Sequence, residues 1–329
     1  MKNRNVVVDI AKGIGIIAVV WGHLGTVCPI KNEIYIYHMP LFFMLSGFCF
    51  HIQRNEDFCS FLKRKINAYI IPYFFFLFYI LFLFIVLYLV VHKLQYIYIY
   101  TSILIRPYGV VTTLWFFLSL FFVQVIYFLI NKYIKCIFLK FAICLLSFFV
   151  GFLLYKLGLH IPLYVDSSIT VLSFFYIGDS MKQLHFDNIS RIKLLYIFVL
   201  SIFVFWYGVY AGVSIDIKYN IIKCNPFIGF ISACAGSVLV IMLSYFINKA
   251  YLQNLIRTLS FLGRNTILIF ALHMLCIEIL NCLVIDLFKI HETYYIGIVL
   301  VVLSIIMSIQ IGKPMLYLLN KMIFYVSKR

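Results

Sequence analysis

Lys12 and His23 stand eleven positions apart, with ten residues between them, inside one apolar run. On a helix they lie about 16 Å apart along the axis and about 20° apart in azimuth, so they share a face. A lysine ammonium holds phosphates or carbonyls, and a histidine takes up and releases protons near neutrality. Asp9 sits one turn before Lys12, where the two can pair. His38 falls in the next apolar run, His273 in a late one followed by Glu278, and Trp115 at the start of a middle one. His38, His273 and Trp115 are all predicted at nearly the depth of His23, which puts four site-like side chains in one layer. Ionisable groups are costly in hydrocarbon and mark function more often than packing when several meet at one level. The cluster Lys63, Arg64 and Lys65, with Arg54 nearby, has two readings, a topology signal or an anion collar, and composition leaves both open.

The elements that must position these residues are read from composition. Of 329 residues, 65% are hydrophobic and 12% charged, with a mean hydropathy of +1.06. Soluble domains run at about 45–50% apolar and about 25% charged, so a soluble globular protein is excluded. At roughly 20 apolar residues per crossing, the sequence predicts an all-α, polytopic membrane bundle of about ten helices, a single domain over 1–329. The apolar runs fall at 6–27, 34–52, 66–91, 110–130, 134–156, 162–180, 194–213, 227–247, 265–285 and 294–312. Residues 313–329 are expected to form a cytoplasmic amphipathic tail helix. Pro72 predicts a tilt or kink near the start of the third run. The YIYIY alternation at 96–100 suits a piece lying at headgroup level.

The net charge of +16 is a matter of sides. With ten spans, one side holds only Lys31, Lys93, Arg106, Lys156, Lys218, Lys223 and Lys289. Lys12 and Lys140 lie inside spans, and the other side holds the rest of the 27 basic residues. The positive-inside rule then places both termini in the cytoplasm and leaves the charge no nucleic-acid meaning. Asp9 and Lys12 interrupt the first run and no small-residue cleavage site follows, so it reads as a retained anchor. The nine cysteines are scattered without a C-x-x-C pair, so no metal site is expected; Cys28 and Cys224 are the one pair placed on the outer face.

Several of these segments together resemble the membrane-bound acyltransferase family 3, in particular its fucose 4-O-acetylase-like branch. They are Asp9-Ile-Ala-Lys-Gly13 with His23, Tyr37-His-Met-Pro-Leu-Phe-Phe-Met-Leu-Ser-Gly47, Phe61-Leu-Lys-Arg-Lys65 with Ile71-Pro-Tyr73, Leu114-Trp-Phe116, and Gly263-Arg-Asn-Thr266 leading to Leu272-His273. The anchors occur in the family's order over residues 9–273. The resemblance implies a multi-pass enzyme of the cell membrane that moves an acetyl or other short acyl group from cytoplasmic acyl-CoA to a hydroxyl of an envelope polysaccharide or its lipid-linked precursor. Acetyl-CoA would be a cosubstrate, with no tightly bound cofactor. The family's basic residue and histidine separated by ten residues match Lys12 and His23, with lysine standing where many members carry arginine.

The chemistry asked of such a site is attack of an alcohol on a thioester, which needs a base. His23 is the expected base. His38 would orient it, bind the acceptor hydroxyl or stabilise the oxyanion, and the sequence does not choose. Lys12, Lys63, Arg64 and Lys65 would hold the donor, Trp115 would stack on the sugar, and His273 takes a secondary place on the substrate side. Two rivals remain at this level: a transporter or flippase using the same polar layer, and a different O-acyltransferase architecture in which His273 is central.

Overall fold

A computed structural model describes residues 5–24, 28–91, 113–183, 189–287 and 293–327. The aromatic alternation at 96–100, and Lys93, Arg106 and Lys289 of the charge comparison, lie outside the described residues. The described chain is almost wholly helical: α1 (Val6–Gly22), α2 (Lys31–Cys49), α3 (Phe58–Lys65), α4 (Ile71–Val91), α5 (Trp115–Tyr133), α6 (Ile137–Lys156), α7 (Val165–Ser180), α8 (Arg191–Tyr210), α9 (Pro226–Lys249), α10 (Gln253–Arg264), α11 (Thr266–Asn281) and α12 (Tyr294–Ser327). Asn5, Asp57, Ser190 and Asn225 cap the first turns of α1, α3, α8 and α9, their side chains accepting backbone N–H groups that a helix start leaves unpaired.

Among the described residues, seven helical stretches are long and apolar enough to cross a membrane: Phe58–Leu83, Trp115–Tyr133, Ile137–Lys156, Arg191–Tyr210, Pro226–Lys249, Thr266–Val284 and Tyr294–Ile323. The remaining three predicted runs also form helices, but α1 spans 17 residues, α7 spans 16, and α2 opens on Lys31, Asn32 and Glu33. These three are wrapped by other helices. α1 packs on α2, α9, α10, α11 and α12, and α2 packs on α7 and α9. Facing protein rather than lipid, they carry polar groups that lipid-facing helices exclude, such as the buried Asp166, Ser167, Ser168, Thr170 and Ser173 of α7. The helices at the rim show the opposite pattern. Phe74, Phe78 and Phe82 form one exposed apolar stripe on α4, and Ile137, Phe138, Ile192 and Tyr196 are bare on α6 and α8.

Small residues bring the central helices into backbone contact. A Cβ on Gly47 of α2 would collide with the Phe175 carbonyl of α7, and one on Gly178 of α7 with the Met44 carbonyl of α2. The same reciprocal arrangement joins α1 to α10 through Gly13 and Gly263. Helix α10 itself was read from sequence only as a basic connecting segment; its apolar side buries Leu259 against α1 while Arg257 and Arg264 stay outside.

The irregularity expected at Pro72 is a π-helical turn, Ile66–Ile70, joining α3 to α4, with the Ile71 N–H bonded to the Ile66 carbonyl. Proline lacks an N–H and its ring crowds the carbonyl four residues back, and the wider turn relieves both. The separate tail helix does not form. Residues 313–327 continue α12, with Pro314 inside it. Gln310, whose carbonyl loses its partner there, is exposed and can be solvated. Between α8 and α9 a short hairpin pairs Ile215 with Ile222 and Asp216 with Ile221, with a tight turn over Ile217–Tyr219. It is tied to α7 by Ser167, whose hydroxyl donates to the Lys218 carbonyl at 3.0 Å, and by the Thr170 hydroxyl on Asn220. Cys28 and Cys224 are both free thiols.

Candidate active site

Three histidines meet where α1, α2 and α11 pack. Each is anchored in the same way, with Nδ1 at 2.8 Å from the carbonyl four residues earlier: His23 on Val19, His38 on Ile34, His273 on Ile269. A carbonyl only accepts, so Nδ1 carries the hydrogen in each ring and Nε2 keeps a lone pair; this tautomer is assigned from the bonding. Helical spacing explains the repeated motif, because a side chain lies over the turn before it. His23 and His273 meet edge to face with ring centroids 5.0 Å apart. Tyr35 bridges to the third ring, 4.9 Å from His38 and 6.2 Å from His23.

His23 and His38 line a cavity of about 190 Å³ with Tyr35, Thr113, Trp115 and the hairpin residues Asp216, Lys218 and Tyr219. Trp115 therefore stands where the sequence placed it. His273 is not among the residues that line the cavity; it is fully buried behind His23, and its Nε2 has no hydrogen-bond partner among the described residues. Thr113 Oγ1 is likewise buried and without a partner among them. Asp216 accepts from the Lys218 backbone N–H at 3.0 Å, and burial pushes its carboxyl above the usual range.

A second cavity, about 280 Å³, lies along the same face of α1 and is lined by Lys12, Ser46, His51, Lys65, Tyr69, Gln124 and Thr266, with Phe42, Phe50, Phe116, Phe117 and Phe270. Lys65 is 7% exposed and its ammonium lies 5.2 Å from the Phe61 ring centroid and 5.5 Å from that of Phe50. Among the described residues, neither Lys12 nor Lys65 has a carboxylate within 4 Å. Gln124 donates to Tyr69 Oη at 2.7 Å and to Ser46 Oγ at 3.4 Å, leaving its own Oε1 buried without a partner. Two lysines, an amide and three hydroxyls around an apolar chamber offer the donors that an anion needs.

The basic trio thus divides. Lys65 faces the cavity, four residues after the buried Phe61 and so on the same stripe of α3. Lys63 is exposed and outside the lining. Arg64 is turned to Glu56 in a bidentate pair, both N···O distances 2.7 Å, and its guanidinium holds the Glu56 carboxyl below the usual carboxylate range. Sequence reasoning missed the hairpin, whose Ser-Ile-Asp-Ile-Lys-Tyr run carries no motif, and missed Gln124 and Tyr69, which read as ordinary helix polarity.

A comparison with protein families matches residues 5–311 to the acyltransferase domain of acyltransferase family 3. The chain belongs to that family. The match covers the residues that line both cavities, and the family implies membrane acyltransferase activity. No curated protein and no solved structure matches the chain.

Proposed function

We propose that this family member is an O-acyltransferase of the inner membrane that takes acetyl, or another short acyl group, from cytoplasmic acyl-CoA and places it on a hydroxyl of a cell-envelope polysaccharide or its lipid-linked precursor. The observation that carries the reading is the pairing of cavities on one face of α1, a lysine-lined one at Lys12 and a histidine-lined one at His23. The first suits the phosphates and thioester of CoA entering from the side that holds Lys63 and Arg64. The second, with Trp115, Tyr35 and Tyr219 for sugar faces and Asp216 for hydroxyls, suits the acceptor.

In the reaction, the lone pair on His23 Nε2 takes the proton of the acceptor hydroxyl as its oxygen attacks the thioester carbonyl. The C–O bond forms, the C–S bond breaks, and the imidazolium returns the proton to the CoA thiolate, so the enzyme ends unchanged. His38 in the same tautomer presents an acceptor atom, which fits holding the sugar hydroxyl rather than donating to the oxyanion. Among the donors that border the cavity, Thr113 Oγ1 and the Lys218 ammonium fit the oxyanion role. His273 touches His23 and not the cavity, which makes it a positioning residue.

Membranes from cells expressing the chain, supplied with radiolabelled acetyl-CoA, test this. Label should pass to envelope glycan in the parent and not in His23→Ala. Equal labelling in both, at equal protein levels, would refute the assignment.

A further inference from the structure

Between the two cavities lies a knot of three rings. The Phe116 and Phe270 centroids are 4.6 Å apart, those of Phe42 and Phe116 are 6.0 Å apart, and those of Phe42 and Phe270 are 6.2 Å apart, so each ring touches the other two. Phe270 is the single residue that lines both cavities, while Phe42 and Phe116 line only the lysine side. The knot continues toward the histidines, with Phe270 6.0 Å from His273 and Phe116 6.3 Å from Trp115. On α1, one turn after Lys12, Gly15 leaves the space that the Phe42 ring fills; a Cβ there would come within 3.1 Å of it.

A group that passes directly from the lysine-lined cavity to the histidine-lined one passes the Phe270 ring, on which Phe42 and Phe116 pack. Resting on the acyl-transfer reading above, we infer that Phe42, Phe116 and Phe270 form the throat through which the acyl thioester reaches His23, and that their packing sets the longest acyl chain the enzyme transfers. In a tight apolar passage each added methylene is discriminated by about 10–200-fold, and with Phe42 and Phe270 buried and Phe116 half-buried between them the packed rings yield little room without a substitution. The covalent step is the one already written: the acyl C–S bond breaks, the ester C–O bond forms, and the hydroxyl proton ends on the CoA sulfur through His23. The throat enters it only by where it lets the thioester carbon stop.

The test uses the full chain in membranes and two probes, acetyl-CoA and butyryl-CoA, with release of the CoA thiol as readout and His23→Ala as blank. Phe270→Ala should raise the butyryl-to-acetyl rate ratio about tenfold or more. Phe116→Leu and Phe42→Leu remove less volume and should each raise it several-fold, which decides the matter if Phe270→Ala does not accumulate. A ratio unchanged from the parent in folded variants that still turn over acetyl-CoA would overturn the throat and leave the acyl-transfer reading standing. A parent no faster than the His23→Ala blank with either thioester would overturn both.

Discussion

The three histidines are set in one tautomer by one device, an Nδ1 bond to the carbonyl four residues back, yet they are not equivalent. His23 and His38 open on the cavity and His273 does not. His23→Ala should therefore lower transfer by about 10²–10⁴-fold, the usual weight of a general base. His273→Ala should cost less and His273→Gln less still, since an amide keeps a polar group against His23; a rate assay on the three variants checks the order. The basic trio makes a sharper contrast. Lys65→Met should raise the Michaelis constant for acetyl-CoA about tenfold or more with little change in maximal rate, while Lys63→Gln should leave it near the parent value. Equal effects would mean that the cluster acts only through its summed charge. The pairing of Lys12 with His23 was legible because helical spacing fixes azimuth whatever the surroundings. Asp216 and Lys218 were not, because they reach the histidines through a hairpin held by Ser167 and Thr170 of a helix about fifty residues earlier.

At the level of elements, backbone contacts at glycine carry the arrangement. Gly178→Leu would drive a side chain into the Met44 carbonyl and part α2 from α7. The expected loss is at the upper end of the about 1–3 kcal/mol that overpacking costs, read as a lower melting temperature in detergent. Such crossings are hard to read from sequence, since glycine in membrane helices is common and its partner is distant. The turn before α3 gives a pH prediction. The Arg64 contact lowers the Glu56 carboxyl, so the pair's contribution is present above the unfolded carboxylate range, about 4.3, and is lost as pH falls through the lower folded value. The pair is partly open to solvent, so its worth is about 1 kcal/mol or less. Glu56→Gln should melt slightly lower than the parent at pH 7 and converge with it in acid. A constant gap at all pH values would contradict the assignment.

For the whole molecule, hydropathy located the described helices other than α3 and α10, but not their environment. α4, α6 and α8 announce themselves because they face lipid. α1, α2 and α7 are shorter or more polar because protein surrounds them; α1 and α2 bring His23 and His38 to one cavity, and α7 holds the hairpin that borders it. The long α12 was divided at Pro314 because proline usually ends a helix; at a solvated boundary the lost hydrogen bond is made to water instead. The basic bias between the two sides predicts that tags at both ends of the chain are shielded from impermeant labels in intact cells, and labelling of either end would require an odd number of crossings. The central claim, that an acyl group passes from CoA across the α1 stripe to an envelope hydroxyl, is tested most directly by mass spectrometry of surface glycans from cells carrying the parent chain or His23→Ala at matched expression. The account predicts ester-linked acyl groups on the glycan with the parent and their loss with the variant. Glycan that is equally acylated in both would contradict it.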